Sequence, residues 1–113
     1  MTTSDPITVR HVPSAHRYEV LDGERVVGRS PYRPFDDPTG PQRIFFHTVV
    51  DDAYEGRGLG SRLAAFALRD TVDAGLRIVP VCPFITAYLG RHREFADHVV
   101  AVRPEHLRAV DRA

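Results

Sequence analysis

One eight-residue stretch, Tyr54-Glu55-Gly56-Arg57-Gly58-Leu59-Gly60-Ser61, constrains the fold of this chain more than any other. An apolar run, Ile44 to Val50, leads into it, and an amphipathic run, Leu59 to Ala74, leads out of it. That order predicts a strand, a glycine-rich turn and a helix start. Glycines take positive φ without a side-chain clash and let the backbone approach a bulky anion. The first turn of a helix carries unpaired N–H groups and a partial positive charge. Together these features suit a phosphate cradle. A purely structural turn is the alternative.

The remaining elements follow from pattern. Ile7 to Val12 alternates and is expected as a first strand. Tyr18 to Leu21 and Val26 to Ser30 are expected as two more, joined by a hairpin turn at Asp22-Gly23-Glu24-Arg25. Arg33 to Gln42 holds Pro34, Pro38 and Pro41 with Asp36, Asp37 and Gly40, so a loop is expected, either a mobile insertion or a lid. Arg43 to Val50 is β-branched and aromatic, and is expected as one central strand covered on both faces.

After the turn, Leu59, Leu63, Phe66 and Ala67 share a helical face flanked by Leu68 and Val72, and Gly75 is a C-cap signal. Leu76 to Val81 is a strand that Pro80 makes interrupted or edge-like. Ile44 to Val81 therefore predicts a parallel strand–helix–strand crossover. Pro83 suits the first position of a short helix with Phe84, Ala87 and Tyr88 on one side. Arg93 to Val100 is a further helical turn or a last strand, and Pro104 to Val110 a terminal helix. No repeat or boundary divides the chain, so residues 1–113 are expected to form one domain.

Composition excludes some partners. Fifteen basic and fifteen acidic residues give zero net charge, which argues against broad capture of nucleic acid or of an anionic membrane. Cys82 is the only cysteine, which excludes an internal disulfide and fits a reducing, cytoplasmic setting. No run is long enough to span a bilayer. No histidine pair has zinc-ligand spacing, so no metal is expected; surface roles are expected for most of His11, His16, His92, His98 and His106.

Two segments carry more information together than the glycines do alone: His47-Thr48-Val49-Val50 through Gly58-Leu59-Gly60-Ser61, and Ile78-Val79-Pro80-Val81-Cys82-Pro83-Phe84-Ile85-Thr86-Ala87-Tyr88. The pair resembles the GNAT superfamily of acyl-coenzyme A-dependent N-acyltransferases. It is most similar to small, trimmed members with a strand histidine and a Cys-Pro-Phe motif. The resemblance covers residues 43 to 98.

It implies an α/β (α+β) GNAT-like fold: a mixed, mostly antiparallel sheet with a parallel strand–helix–strand crossover and helices packed on it. It also implies acetyl-CoA as cosubstrate and an amine acceptor, either a small amine or a protein lysine. The cofactor-binding residues would be the edge Thr48, Val49 and Val50, the turn Glu55, Gly56, Arg57, Gly58, Leu59, Gly60 and Ser61, and Arg62 and Phe84. The catalytic residues would be Cys82, His47 and Tyr88. In one route Cys82 accepts the acyl group and His47 activates it, since a helix start and an imidazole both favour a reactive thiol. In the other, His47 deprotonates the amine and Tyr88 protonates the departing thiolate.

The plainer readings are a buried structural Cys82 and a core Tyr88. A non-catalytic coenzyme A-binding module and a thioester hydrolase are the alternative functions. Glu55 departs from the superfamily, which has Gln or Arg there, and there is no room for the helices that larger members insert after their first strand.

Overall fold

The computed structural model describes residues 6–111. Its strands and helices are β1 (Ile7–Val12), β2 (Arg17–Asp22), β3 (Arg25–Asp37), β4 (Gly40–Phe45), β5 (Val49–Val50), α1 (Leu59–Asp73), β6 (Arg77–Pro80), α2 (Pro83–Arg91) and α3 (Pro104–Asp111). The six strands form one sheet in the order β1-β2-β3-β4-β6, with β5 paired to β3. Every pairing is antiparallel except β4 with β6, which is parallel across the α1 crossover. The α+β architecture and the crossover expected from the sequence are both present.

Helix α1 lays Leu59, Leu63, Ala64, Ala67 and Leu68 against Tyr18, Val20, Tyr32 and Phe45 of the sheet. Leu63 is fully buried, so truncating it to Ala costs on the order of 2–5 kcal/mol. Phe66 does not join the core face expected for it. The buried arc is centred on Ala64, Ala67, Leu68 and Thr71, which leaves Phe66 exposed with its ring edge toward Tyr18. In α2, likewise, Ile85 and Tyr88 are buried while Phe84 and Ala87 face out. Gly75 ends α1 at φ +79, and the Leu76 N–H reaches back to the Thr71 carbonyl.

Residues 33–42 are not a loop or a lid. They are the far half of β3 and the start of β4, joined by a two-residue turn at Pro38-Thr39. A two-residue turn makes Asp37–Gly40 a hydrogen-bonded pair. The alternating pairs Asp36–Pro41 and Pro34–Arg43 are then non-hydrogen-bonded, and both prolines fit without losing a ladder bond to the partner strand. Asp37 fixes the turn by accepting from the Thr39 amide at 3.0 Å and the Thr39 hydroxyl at 2.5 Å. It also pairs with Arg103 ahead of α3. The Thr39 and Arg103 bonds hold the Asp37 carboxyl down to about 2.

Nor is Arg43 to Val50 one strand. Tyr32 pairs with Phe45 and Arg29 with Val49, so three residues, 46–48, stand opposite two, 30–31. The extra residue makes a β-bulge, which bends the strand and breaks its regular pairing. Arg93 to Val100 combines both expectations: a 3₁₀ turn over Arg93–His98, then one parallel bridge from Val99 to Ile78.

Candidate active site

The glycine turn begins where β5 ends. The Asp51 N–H bonds the Val27 carbonyl at 2.8 Å, and a 3₁₀ turn over Asp52–Tyr54 uses the Tyr54 and Glu55 amides. Gly56 and Gly58 then take φ +79 and +72, conformations that L side chains rarely adopt. Gly58 is the N-cap of α1 and has no side chain to cap the helix. The first helical N–H with an acceptor is that of Arg62, bonded to the Gly58 carbonyl at 3.1 Å. Among the described residues, the six consecutive amides of Gly56 through Ser61 meet no protein acceptor.

These amides border a groove of about 230 Å³ lined by Val50, Tyr54, Glu55, Gly56, Gly58, Leu59, Gly60, Ser61 and Phe84. Phe84, from the first turn of α2, lines this groove together with the turn. Arg57 stands over the Tyr54 ring at 4.9 Å, and the Tyr54 hydroxyl is anchored on Asp22 at 2.5 Å. Arg62 lies elsewhere. Its guanidinium bonds the Ile7 carbonyl at 3.3 Å and lines a separate cavity of about 520 Å³.

Strands β4 and β6 part just beyond Phe45. The Phe45 carbonyl accepts from both Val81 N–H, at 3.0 Å, and Cys82 N–H, at 2.8 Å. Past that point β5 stays with β3 while the chain after β6 turns into α2. Among the described residues, the outer edge of β5 has no partner strand. This opening leads toward the groove, whose wall includes Val50.

Cys82 is buried at the start of α2, and its Sγ lies 3.5 Å from Thr48 Oγ1. Thr48 Oγ1 in turn meets Ser30 Oγ at 3.2 Å, and Ser30 donates to the His47 carbonyl at 3.3 Å. The structure thus joins Cys82 to Thr48. The His47 side chain is exposed on the bulge and makes no hydrogen bond to Cys82. Tyr88 is buried and stacks on His92 with ring centres 3.9 Å apart; burial, then Glu94, raises its hydroxyl above the ordinary phenol range. It lines the larger cavity with Arg62, Phe66 and Phe95 rather than the groove at the turn.

Sequence reasoning missed Ser30, whose fully buried hydroxyl ties the bulge to β3. It also missed a network behind the core. Tyr18 donates to Asp70 and accepts from Arg43, both at 2.6 Å, and His11 bonds the Tyr32 hydroxyl at 2.6 Å. Of the histidines other than His47, for most of which the sequence predicts surface roles, His11 is mostly buried and His106 fully buried. Among the described residues no group of three or more His, Cys, Asp or Glu side chains could hold a metal ion, and no helix is long and apolar enough to cross a membrane.

A strand pair that splays beside an uncapped, glycine-rich helix start defines the class of protein: a GNAT-like fold. The family model of the GCN5-related N-acetyl-transferases matches residues 17–98. The chain belongs to that family and is an acetyltransferase. No curated protein matches the sequence.

Among solved structures, a GCN5-like N-acetyltransferase from Staphylococcus aureus aligns with TM-score 0.63 and 20% identity, over 91% of this chain and 97% of that one. A ribosomal-protein-alanine N-acetyltransferase from Brucella melitensis aligns with TM-score 0.56 and 14% identity, over 86% and 92%. An aminoglycoside acetyltransferase from an uncultured soil metagenomic sample aligns with TM-score 0.55 and 16% identity, over 70% of this chain and 55% of that one. At these identities the likeness is one of fold.

Proposed function

We propose that this protein is an acetyl-CoA-dependent N-acetyltransferase whose Gly56–Ser61 amides hold the diphosphate of the donor. The observation that carries this reading is the run of six main-chain N–H groups without a protein acceptor, at a groove that meets the splayed strands. Backbone donors at a helix start favour a diphosphate through hydrogen bonds and the helix dipole together. The unpaired edge of β5, at Val49 and Val50 and with Thr48 before it, is placed to pair with the amides of the donor's arm. Arg57 adds positive charge at the turn, and Phe84 walls the groove. Bound acetyl-CoA supplies a thioester acyl group.

Two routes use the chain's own residues. In the covalent route Cys82 Sγ forms the new acyl–sulfur bond as the donor's carbon–sulfur bond breaks, and His47 takes the thiol proton and passes it to the departing coenzyme A thiolate. The amine then attacks the acyl group, Cys82 leaves as thiolate, and the proton lost by the amine restores the Cys82 thiol. In the direct route His47, an exposed base on the bulge, takes the amine proton and Tyr88 returns a proton to the departing thiolate. The Thr48 contact to Cys82 is the packing that a structural thiol would also have, and Tyr88 lines the larger cavity rather than the groove, so each route needs a side chain to move to the donor's sulfur. The strand histidine and Cys-Pro-Phe support a likeness to the small, trimmed members of the superfamily, with a small amine or a protein lysine as acceptor. A non-catalytic coenzyme A-binding module is the second reading. It draws on Glu55, which brings a carboxylate to the groove where phosphate would sit.

Thiol release from acetyl-CoA tests both readings. Release that needs an added amine supports the transferase. Tight binding without release supports the module, and release without amine supports a hydrolase. The covalent route has an unusually clean test, because all fifteen basic residues are arginine and the chain has no lysine to acetylate adventitiously. After incubation with acetyl-CoA, a single hydroxylamine-sensitive acetyl on the intact protein, absent in Cys82→Ala, supports it. Full turnover by Cys82→Ala removes it.

A further inference from the structure

The sheet face opposite α1 is covered unevenly. On its β4–β6 half the C-terminal segment packs closely: the Val100 N–H bonds the Ile78 carbonyl, His106 meets Gln42 and Phe35, and Arg103 pairs with Asp37. On its β1–β3 half, α1 is the helix packed against β1 and β2 among the described residues, and it lies on the other side, over Tyr18 and Val20. The half that no helix of the described residues covers is therefore the side that carries Arg17, Glu19 and Leu21 of β2; there Glu19 and Leu21 are buried, and the outer layer includes the half-exposed Arg10 and Arg17 side chains.

The register gathers guanidinium groups there. Arg10, Glu19 and Arg29 form one row across β1, β2 and β3. With strands about 4.8 Å apart, the row is roughly 10 Å wide. Arg17 is two residues from Glu19 on β2, and Arg33 is four residues beyond Arg29 on β3, so both share the face. Glu19 is the one carboxylate in this group and it is already fully engaged. Its Oε1 accepts from Arg10 Nε at 2.9 Å and Nη2 at 2.7 Å, and its Oε2 from Arg17 Nε at 2.7 Å. Burial pushes its carboxyl up, but the two guanidinium groups outweigh that and hold it below the usual range, so it stays ionised.

The other two arginines have no such partner. The Arg29 side chain makes no ion pair or hydrogen bond to any described residue, and Arg33 Nε is buried without an acceptor, its head 6.0 Å from the Phe46 ring. Four arginines against one neutralised carboxylate concentrate positive charge on one face of a chain whose net charge is zero.

We propose that this face docks an acidic polypeptide segment, with carboxylates of that segment meeting Arg29 and Arg33. A guanidinium fork pairs with a planar carboxylate through two parallel bonds. The two forks are four strand residues apart, about 13 Å, so acidic residues at the same spacing on an extended segment alongside β3 reach both. Nucleic acid fits less well. Single strands use exposed aromatic platforms, whereas the residue between Arg29 and Arg33 on this face is Pro31, the one beside Arg29 on β5 is Val49, and Phe46 is taken up by Arg33. A continuous phosphate backbone would also pass over the ionised Glu19. The docking face stands apart from the acetyl-transfer reading, since none of its arginines lines the glycine groove.

Fluorescence anisotropy with the full chain tests the proposal, using three probes: a labelled peptide of alternating Glu and Thr, its Gln-for-Glu counterpart, and a labelled oligo-uridine of matched charge. The acidic peptide is expected to bind at least about tenfold more tightly than either other probe, and less tightly as salt rises. Arg29→Gln and the Arg29→Gln/Arg33→Gln pair break no ion pair of the protein, so their thermal midpoints should stay near that of the parent. The pair is expected to weaken peptide binding at least about tenfold and the single variant by less, with no change in Arg108→Gln on the exposed side of α3. No peptide binding by the parent, tighter binding of the oligonucleotide, unchanged binding by the double variant, or equal loss in Arg108→Gln would each overturn it.

Discussion

Gly60 and Phe84 meet so closely that a methyl group on the glycine would lie 2.8 Å from the tip of the ring. Each sits in the first turn of its helix, α1 and α2, and both line the groove at the glycine turn. The contact decides the shape of the groove more than the stability of the fold. Phe84 is 37% exposed and its ring can swing aside. Alanine also gains about 1 kcal/mol of helix propensity over glycine. Gly60→Ala is therefore expected to change unfolding stability by less than about 1 kcal/mol and to weaken coenzyme A binding several-fold by displacing the ring. Calorimetric titration beside a urea melt separates the two effects, and unchanged affinity would take Phe84 out of the binding wall.

Gly58 has a different constraint. A Cβ there meets nothing within 4 Å, yet the residue sits at φ +72. Space is available and conformation is not. Asn visits the left-handed region with modest cost, whereas a β-branched residue there is a genuine outlier. Thermal midpoints should fall in the order parent, Gly58→Asn, Gly58→Val, with the valine variant losing on the order of 1–2 kcal/mol. Equal midpoints for Asn and Val would mean that the turn does not need its left-handed residue.

The contrast between these glycines and residues 33–42 shows what was legible. The glycine turn, the Pro83 helix start and the Gly75 cap are local: each follows from one residue's backbone preference, and each was found where expected. The Arg33–Gln42 hairpin was not legible, because its prolines are acceptable only in the register set by the Pro38-Thr39 turn, which is a property of two strands together. The bulge at residues 46–48 was hidden for the same reason, since an apolar run looks identical whether its pairing slips by one residue or not. At the site, Cys82 was found at a helix start, but its meeting with Thr48 depends on that slip. The burial of His106 depends on α3 folding back over Gln42, 64 residues earlier in the chain.

Tyr18 is the hub of the network behind the core. Its hydroxyl donates to Asp70 and accepts from Arg43, both at 2.6 Å, while its ring is fully buried and stacks on His11. Tyr18→Phe keeps the ring and removes both bonds, leaving the half-buried Arg43 and Asp70 with one partner fewer. A hydrogen bond to a charged group is worth about 1.5–3 kcal/mol. A loss of about 2 kcal/mol is expected in urea unfolding at neutral pH, and a loss below about 0.5 kcal/mol would mean that water replaces the hydroxyl at no cost.

His106 makes stability depend on pH. Its ring is fully buried; Nδ1 accepts from the Arg103 N–H at 3.0 Å and the Nε2 proton is donated to Gln42 Oε1 at 2.8 Å. That pattern uses the neutral ring, because a proton on Nδ1 would face the Arg103 N–H. Burial first, then the Arg103 charge, lowers the affinity of His106 for a proton below the ordinary value of 6.5, against smaller pulls upward from Glu105 and Asp37. Phe35 on β3 adds an uncharged ring face. The unfolded chain therefore takes up a proton as pH falls through 6.5, and the folded chain does so only at lower pH. The contribution of His106 is fully present above pH 6.5 and is lost as pH falls below it. His11, lowered by burial and Arg43, acts in the same direction, whereas Glu19 and Asp37 begin to matter only below their ordinary values of 4.5 and 3.8. Urea melts between pH 8 and pH 5 should show the parent losing stability below 6.5, with a shallower loss in His106→Gln and the remainder traceable to His11. A parent whose stability is flat across that range, or a variant with the same slope, would show that α3 leaves the sheet before His106 can exert its effect.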